Sequence, residues 1–173
     1  KKWTFGDFRP SLDGDELCPI PAHLSTWEGA EDAATNKKYP LQVIGHHFKA
    51  RTHSSYGNVE WLKEAHIQTV WMNPKDATER GIKNDDLVFI YNERGTLRLP
   101  AKVTTRIVPG TISVPQGAWY DPKPASEVTP PAGANPKKPV DVAGSVNTLT
   151  SLHPTPIAKG MGVHTILAQV VKA

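Results

Sequence analysis

Leu87-Val88-Phe89-Ile90-Tyr91-Asn92-Glu93-Arg94-Gly95-Thr96-Leu97-Arg98-Leu99-Pro100-Ala101-Lys102-Val103 decides the fold. Leu87 to Tyr91 is an unbroken apolar run of strand length, the pattern of a buried strand. Asn92-Glu93-Arg94-Gly95 is a turn, with Gly95 expected at positive φ, and Thr96 to Val103 returns as a second strand. Working outward, Thr69-Val70-Trp71-Met72 reads as a strand before the hairpin. Pro109-Gly110 turns into a further strand from Thr111 to Val114. Leu41-Gln42-Val43-Ile44 is a β-prone run ended by Gly45, and residues 164–171 form a closing strand. Two short helices interrupt the strands. Asn58 is expected to cap one in which Val59, Leu62 and Ala65 share a face. Asn73-Pro74 starts the other and Gly81 ends it. Short strands and tight turns favour a closed β-barrel over a sandwich.

The composition excludes several classes. The 173 residues carry a net charge of +3 with acids and bases interspersed, so there is no block suited to nucleic acid. Cys18 is the one cysteine, which rules out an internal disulfide or a cysteine metal site. No apolar run approaches the ~20 residues needed to cross a bilayer. Lys1-Lys2-Trp3 has neither an initiator methionine nor a following apolar signal core, and reads as a cut inside a longer protein. Residues 1–38 read as an extended lead-in, anchored by Trp3, Phe5, Phe8 and Trp27, that belongs to a preceding part of that protein. Few long-range apolar contacts with the barrel are expected of it. Residues 39–173 form the barrel. The six prolines between 121 and 140 predict an irregular, exposed excursion.

Three stretches could carry chemistry. Gly45-His46-His47-Phe48-Lys49-Ala50-Arg51-Thr52-His53-Ser54-Ser55-Tyr56-Gly57 leaves a strand rich in donors and with a permissive backbone, which suits a diphosphate and a polar heterocycle. Arg51 could grip phosphate bidentately and Ser54 complete the cradle. A metal on His46, His47 and His53 competes poorly, because adjacent strand residues face opposite ways. Histidines and serines that merely satisfy a turn remain an open reading. In Gly144-Ser145-Val146-Asn147-Thr148-Leu149-Thr150, the Asn147 amide offers the donors and acceptor that a pterin or guanine edge requires, or it makes an ordinary turn. In Gln116-Gly117-Ala118-Trp119-Tyr120-Asp121 the paired aromatics could stack on a ring, with core packing the better expectation for Trp119. No catalytic triad, P-loop or spaced carboxylate pair is present. No residue is assigned a catalytic or metal-binding role.

The order of these motifs carries a resemblance. Tyr39-Pro40-Leu41, His47-x-x-x-Arg51-x-His53-Ser54 and Asn73-Pro74-x-Asp76-Ala77-x-x-x-Gly81-Ile82 come first. Asp86-x-Val88, Gly117-Ala118-Trp119-Tyr120 and Gly144-x-x-Asn147-x-Leu149-Thr150 follow. In register, they resemble the molybdopterin-dinucleotide-binding domain that ends the catalytic subunits of the dimethyl sulfoxide reductase family of molybdenum oxidoreductases. The likeness covers about residues 39–173. Within the family it resembles the catalytic A subunits of anaerobic dimethyl sulfoxide reductases, through Arg51-x-His53-Ser54-x-Tyr56-Gly57-Asn58 and Gly117-Ala118-Trp119-Tyr120-Asp121-Pro122. One departure is Asp85-Asp86, where the family usually has Gly-Asp. Aspartate accepts positive φ at modest cost, so the turn is expected to survive.

The resemblance implies a mainly β fold, a six-stranded double-psi β-barrel with a few short helices. It implies that the chain binds molybdopterin guanine dinucleotide, two of which hold molybdenum in the parent enzyme. Gly45, His46, His47, Arg51, His53, Ser54, Tyr120, Asn147 and His164 would contact the cofactor, His164 from the last strand. The molybdenum ligand and an iron–sulfur cluster would lie outside this chain, so the domain alone would be inactive. The parent would reduce dimethyl sulfoxide or another S- or N-oxide in anaerobic respiration. Its partners would be the remaining domains of the same subunit, an iron–sulfur electron-transfer subunit and a membrane anchor, at the outer face of the bacterial cytoplasmic membrane. The barrel is shared with nitrate, formate and polysulfide enzymes, and a stand-alone interaction module is the alternative from another class.

Overall fold

The structure is a computed structural model that describes residues 23, 25, 27–155 and 160–173. The chain-order elements are helix α1 (Ala30–Thr35), strand β1 (Leu41–His46), helix α2 (Glu60–Ala65), strand β2 (Val70–Met72) and helix α3 (Pro74–Glu79). Then come β3 (Leu87–Tyr91), β4 (Thr96–Val103), β5 (Thr111–Pro115), β6 (Pro122–Lys123), β7 (Val140–Asp141), a 3-10 turn (Val146–Leu149) and β8 (Ile166–Lys172).

Six of these strands close a ring in the order β2-β5-β1-β8-β3-β4, with β4 pairing back onto β2. Neither β1 and β2 nor β2 and β3 are neighbours, so each connection must cross an intervening strand. Two pairs, β1 with β5 and β2 with β4, are parallel, while the other ring pairs are antiparallel. This is the interlocked double-psi barrel. Closure leaves no free edge in the ring, and β7 and β6 extend it beyond β4.

Alternation fills the barrel. Leu41 and Val43 of β1, Leu97, Leu99 and Ala101 of β4, and Ile166, Ala168 and Val170 of β8 point into one core. Val88 and Ile90 of β3 join them, whereas Phe89 and Tyr91 point outward into a second cluster with Ala33, Tyr39, Val128, Val140 and Leu167. The apolar run of β3 is unbroken because both of its faces are covered.

The hairpin turn is held differently from the expectation. Gly95 is absent from the positive-φ residues; its constraint is space, since a Cβ there would lie 2.5 Å from Thr148 Cγ2. Asn92, 1% exposed, sets the turn by accepting from the Arg94 and Gly95 N–H groups while its own amide donates to the Leu149 and Leu167 carbonyls. Asp85 does adopt positive φ (65°), and the turn before β3 survives.

Other local expectations shift. α2 is capped by Val59 without a side-chain bond, and Ala65 is exposed, so Asn58 is not its cap. α3 begins as expected, with the Asn73 side chain accepting from Lys75 N. The 121–140 excursion is pinned by the β6–β7 pair and by buried Val128, with Pro122 on an edge strand where no ladder donor is missed.

Residues 27–38 are neither wholly extended nor detached. α1 places Ala33 in the second cluster, and the Glu28 carboxylate takes both Arg94 Nη groups at 2.7 Å and the Leu167 N–H at 2.8 Å. The Trp27 ring lies 4.2 Å from that of His153. The proposed anchors Trp3, Phe5 and Phe8 lie outside the described residues.

Candidate cofactor-binding site

Parallel pairing assembles the site. Gly45 is opposite Val114 and His46 opposite Pro115, so β1 and β5 run out side by side and release their loops at the same end. The loop after β1 spans 47–57 and the loop after β5 begins at Gln116. Gly117, at φ 85°, passes so close that a Cβ would lie 1.7 Å from His53 O. Trp119 then donates from Nε1 to Ser54 O at 2.8 Å, and its indole covers Gly57. Trp119 is 52% exposed, so it clamps the first loop rather than plugging the core. His53 (φ 52°) and Tyr56 (φ 71°) sit in a region that side chains avoid, a strain the clamp must hold.

A third loop, 144–150, meets these two. Asp141 is fully buried, and its carboxylate accepts the N–H groups of Asp121, Ala143 and Ser145. Burial pushes its carboxyl above the ordinary range, partly offset by those three bonds. From the other side, Asn92 and Arg94 Nε both donate to Leu149 O. The short 3-10 turn carrying Asn147 is therefore fixed at both ends.

Gly45, His53, Ser54, Gln116 and Asn147 line one cleft of about 230 Å³. Asn147 is exposed there and its amide makes no hydrogen bond among the described residues. His164 stands at the rim, with Nδ1 accepting from Gly45 N at 3.2 Å. It belongs to the turn before β8, not to the strand.

Arg51 and Tyr120 line an adjoining cleft of about 530 Å³ with Lys63, His66 and Trp119. The two clefts share Ala118 as a wall. Arg51 and Asn147 thus lie at one end of the barrel but not in one cleft. The guanidinium stacks on Phe48 at 4.1 Å and gives Nη2 to Gln68 Oε1 and Gln116 O, while Nε is buried without a partner among the described residues.

His46 is turned away from both clefts. Its Nδ1 is hydrogen-bonded to Ser113 Oγ at 2.6 Å and its ring packs on Trp71, so β1 alternation turns it from the side of the clefts. Burial, with Lys102 nearby, lowers its pKa and favours the neutral ring. His47 faces the other way, 5.3 Å from the His53 ring. Among the described residues no group of three His, Cys, Asp or Glu is placed to hold a metal ion.

Three residues of this end carry no recognisable signal in the sequence. Gln116 lies inside a motif that gives it no role, and Gln68 and Asp141 reach their partners only through the fold.

A closed double-psi barrel with three donor-bearing loops locked at one end defines a protein that holds an extended polar cofactor. The chain belongs to the Molydopterin dinucleotide binding domain family, which it matches over residues 41–167. It is 45% identical over 162 residues to the putative dimethyl sulfoxide reductase chain YnfE of Escherichia coli (strain K12), covering 93% of this chain and 19% of that protein. It is 35% identical over 159 residues to the dimethyl sulfoxide/trimethylamine N-oxide reductase of Cereibacter sphaeroides, covering 88% and 18%. The acetylene hydratase from Pelobacter acetylenicus shares the fold, with a TM-score of 0.68 at 20% identity over 90% of this chain and 21% of that one. The chain spans about a fifth of the length of the relatives it matches. Among the described residues no helix is long and apolar enough to cross a membrane.

Proposed function

We propose that the 45–54, 116–120 and 144–150 segments hold molybdopterin guanine dinucleotide in a molybdenum oxidoreductase that reduces an S-oxide or N-oxide. The observation that carries this reading is the cleft that Asn147, whose amide makes no hydrogen bond among the described residues, lines together with Gly45, His53 and Ser54. The donor set fits the group. Asn147 complements a heterocycle edge, Ser54 and His53 offer hydrogen bonds to phosphate, and Gly45 leaves room for backbone approach. His164 is at hand on the rim, and Arg51 and Tyr120 border the neighbouring cleft with a cation and an aromatic face.

When bound with molybdenum, the cofactor supplies the redox chemistry; this chain supplies binding and orientation. Asn147 fixes the ring edge, Ser54 and His53 hold an oxygen-rich portion, and Trp119 keeps the 47–57 loop against Gly117. Residues 39–173 are in this reading the binding barrel, with 1–38 a segment leading from the rest of the same subunit. An iron–sulfur subunit, a membrane anchor and a place at the outer face of the cytoplasmic membrane complete the proposal, supported by the likeness to dimethyl sulfoxide reductase chains.

Asn147→Ala in the full-length subunit tests the site. Dinucleotide retention, read as guanine nucleotide released on acid hydrolysis after dilution, should weaken by about 1 kcal/mol. The melting temperature of the cofactor-free protein should be unchanged, because the side chain is exposed and makes no internal bond. Unchanged retention would contradict the assignment.

A further inference from the structure

Gln68 lies in the link between α2 and β2, half-buried, and uses both ends of its amide. Oε1 accepts from Arg51 Nη2 at 2.7 Å, while Nε2 donates to Pro115 O at 2.8 Å and Gly144 O at 3.2 Å. Its three partners are the loop after β1, the last residue of β5, and the glycine that begins the Asn147 loop. Gly144 is pressed against it, since a Cβ there would lie 2.9 Å from Gln68 Cγ. The same Arg51 Nη2 also donates to Gln116 O at 3.3 Å, which closes a circuit around the segment between the two clefts. Gln68 borders the larger cleft but not the one that contains Asn147.

Resting on the function proposed above, the geometry points to Gln68 as a positioning residue that sets the spacing between the Arg51 loop and the Asn147 loop. It acts through them rather than by lining the Asn147 cleft. An amide is the group this place requires. It accepts from a guanidinium and donates to two carbonyls at once, whereas glutamate lacks the donors, lysine lacks the acceptor, and methionine of similar length has no donor and only a weak acceptor. The first loop is held by Gly117 and Trp119 and the second by Asp141 and Asn92; Asp141 also reaches Asp121, beyond Trp119, but among the described residues it hydrogen-bonds neither Arg51 nor Gly144. Gln68 ties the one to the other.

The test uses the full-length cofactor-loaded subunit with two variants and two readouts. Gln68→Met should speed amide hydrogen exchange in 47–57 and in 144–150 by about fivefold, the loss of roughly 1 kcal/mol of local hydrogen bonding. Exchange in β3 and β4 should not change, and dinucleotide should leave about fivefold faster. Gln68→Glu keeps an acceptor for Arg51 but sets a carboxylate against two carbonyls. It should therefore speed exchange in 144–150 while leaving 47–57 as in the wild type. That split is one a general packing defect would not give. Faster exchange spread evenly over all strands, or both loops unchanged in Gln68→Met, would overturn the role. A wild type that retains no dinucleotide contradicts the binding reading itself. Normal wild-type retention with an indifferent Gln68→Met contradicts only the positioning role.

Discussion

Gly117→Ala should release the 47–57 loop and abolish stable cofactor retention while the barrel persists. Two penalties combine at this position. At φ 85° any side chain is disfavoured by roughly 1–2 kcal/mol. The added Cβ would also meet backbone, His53 O at 1.7 Å, which cannot rotate aside as a side chain could. Overpacking of this kind typically costs a further ~1–3 kcal/mol. Gly110→Ala is the control, because Gly110 has a similar φ of 81° and a Cβ added there would meet no atom within 4 Å. Denaturant midpoints should show Gly117→Ala as the more destabilised of the two by about 1–3 kcal/mol. The Trp119 indole N–H, bonded to Ser54 O, should lose its protection in Gly117→Ala alone. Equal losses in the two variants would mean that the close approach does not lock the loop.

Asp141→Ala should produce a large loss of stability, about 3 kcal/mol. Each lost hydrogen bond costs about 1 kcal/mol, and removing Asp141 takes the acceptor from the part-buried N–H groups of Asp121, Ala143 and Ser145 together. The Asn147 loop would lose its N-terminal anchor in the same step. The carboxyl also has a pH signature. Burial, reinforced by nearby Asp121, raises its pKa, so the folded chain holds this proton more tightly than the unfolded chain does. The stability it contributes is full below the unfolded value and is lost as pH rises through the raised folded value. Asp141→Asn should flatten that part of the stability–pH curve. An unaltered curve would show that the three N–H bonds cancel the effect of burial.

The barrel is legible in the sequence because its signals are local. The apolar run of β3, the alternation in β1 and β4, and the Asn73-Pro74 helix start all depend on neighbours within a few residues. The turn after β3 is legible in place but not in cause. Asn92 bonds to Leu149 and Leu167, more than fifty positions away, and Gly95 is required by Thr148 rather than by its own φ. The same distance hides Gln68 and Asp141, whose partners are named by the crossing connections of the barrel and not by any spacing. Trp119 misleads because an aromatic beside a glycine suggests a core plug, whereas here Gly117 admits the His53 carbonyl and the indole closes over Ser54 O and Gly57. His46 misleads because a donor-rich loop conceals where the strand ends. β1 runs through His46, and strand alternation turns that ring toward Trp71 and Ser113. The lead-in reads as detached because it is polar and irregular, with an acidic stretch from Glu28 to Asp32. Within residues 27–38, Glu28 makes the ion pair with Arg94.

A crystal structure of the full-length protein loaded with its cofactor tests the central proposal most directly. The expected result places the Asn147 amide within about 2.7–3.2 Å of a cofactor heterocycle, with phosphate or pterin oxygens against Ser54 and His53. A dinucleotide seated wholly between Trp119, Tyr120 and Lys63, with Asn147 left to solvent, would contradict it.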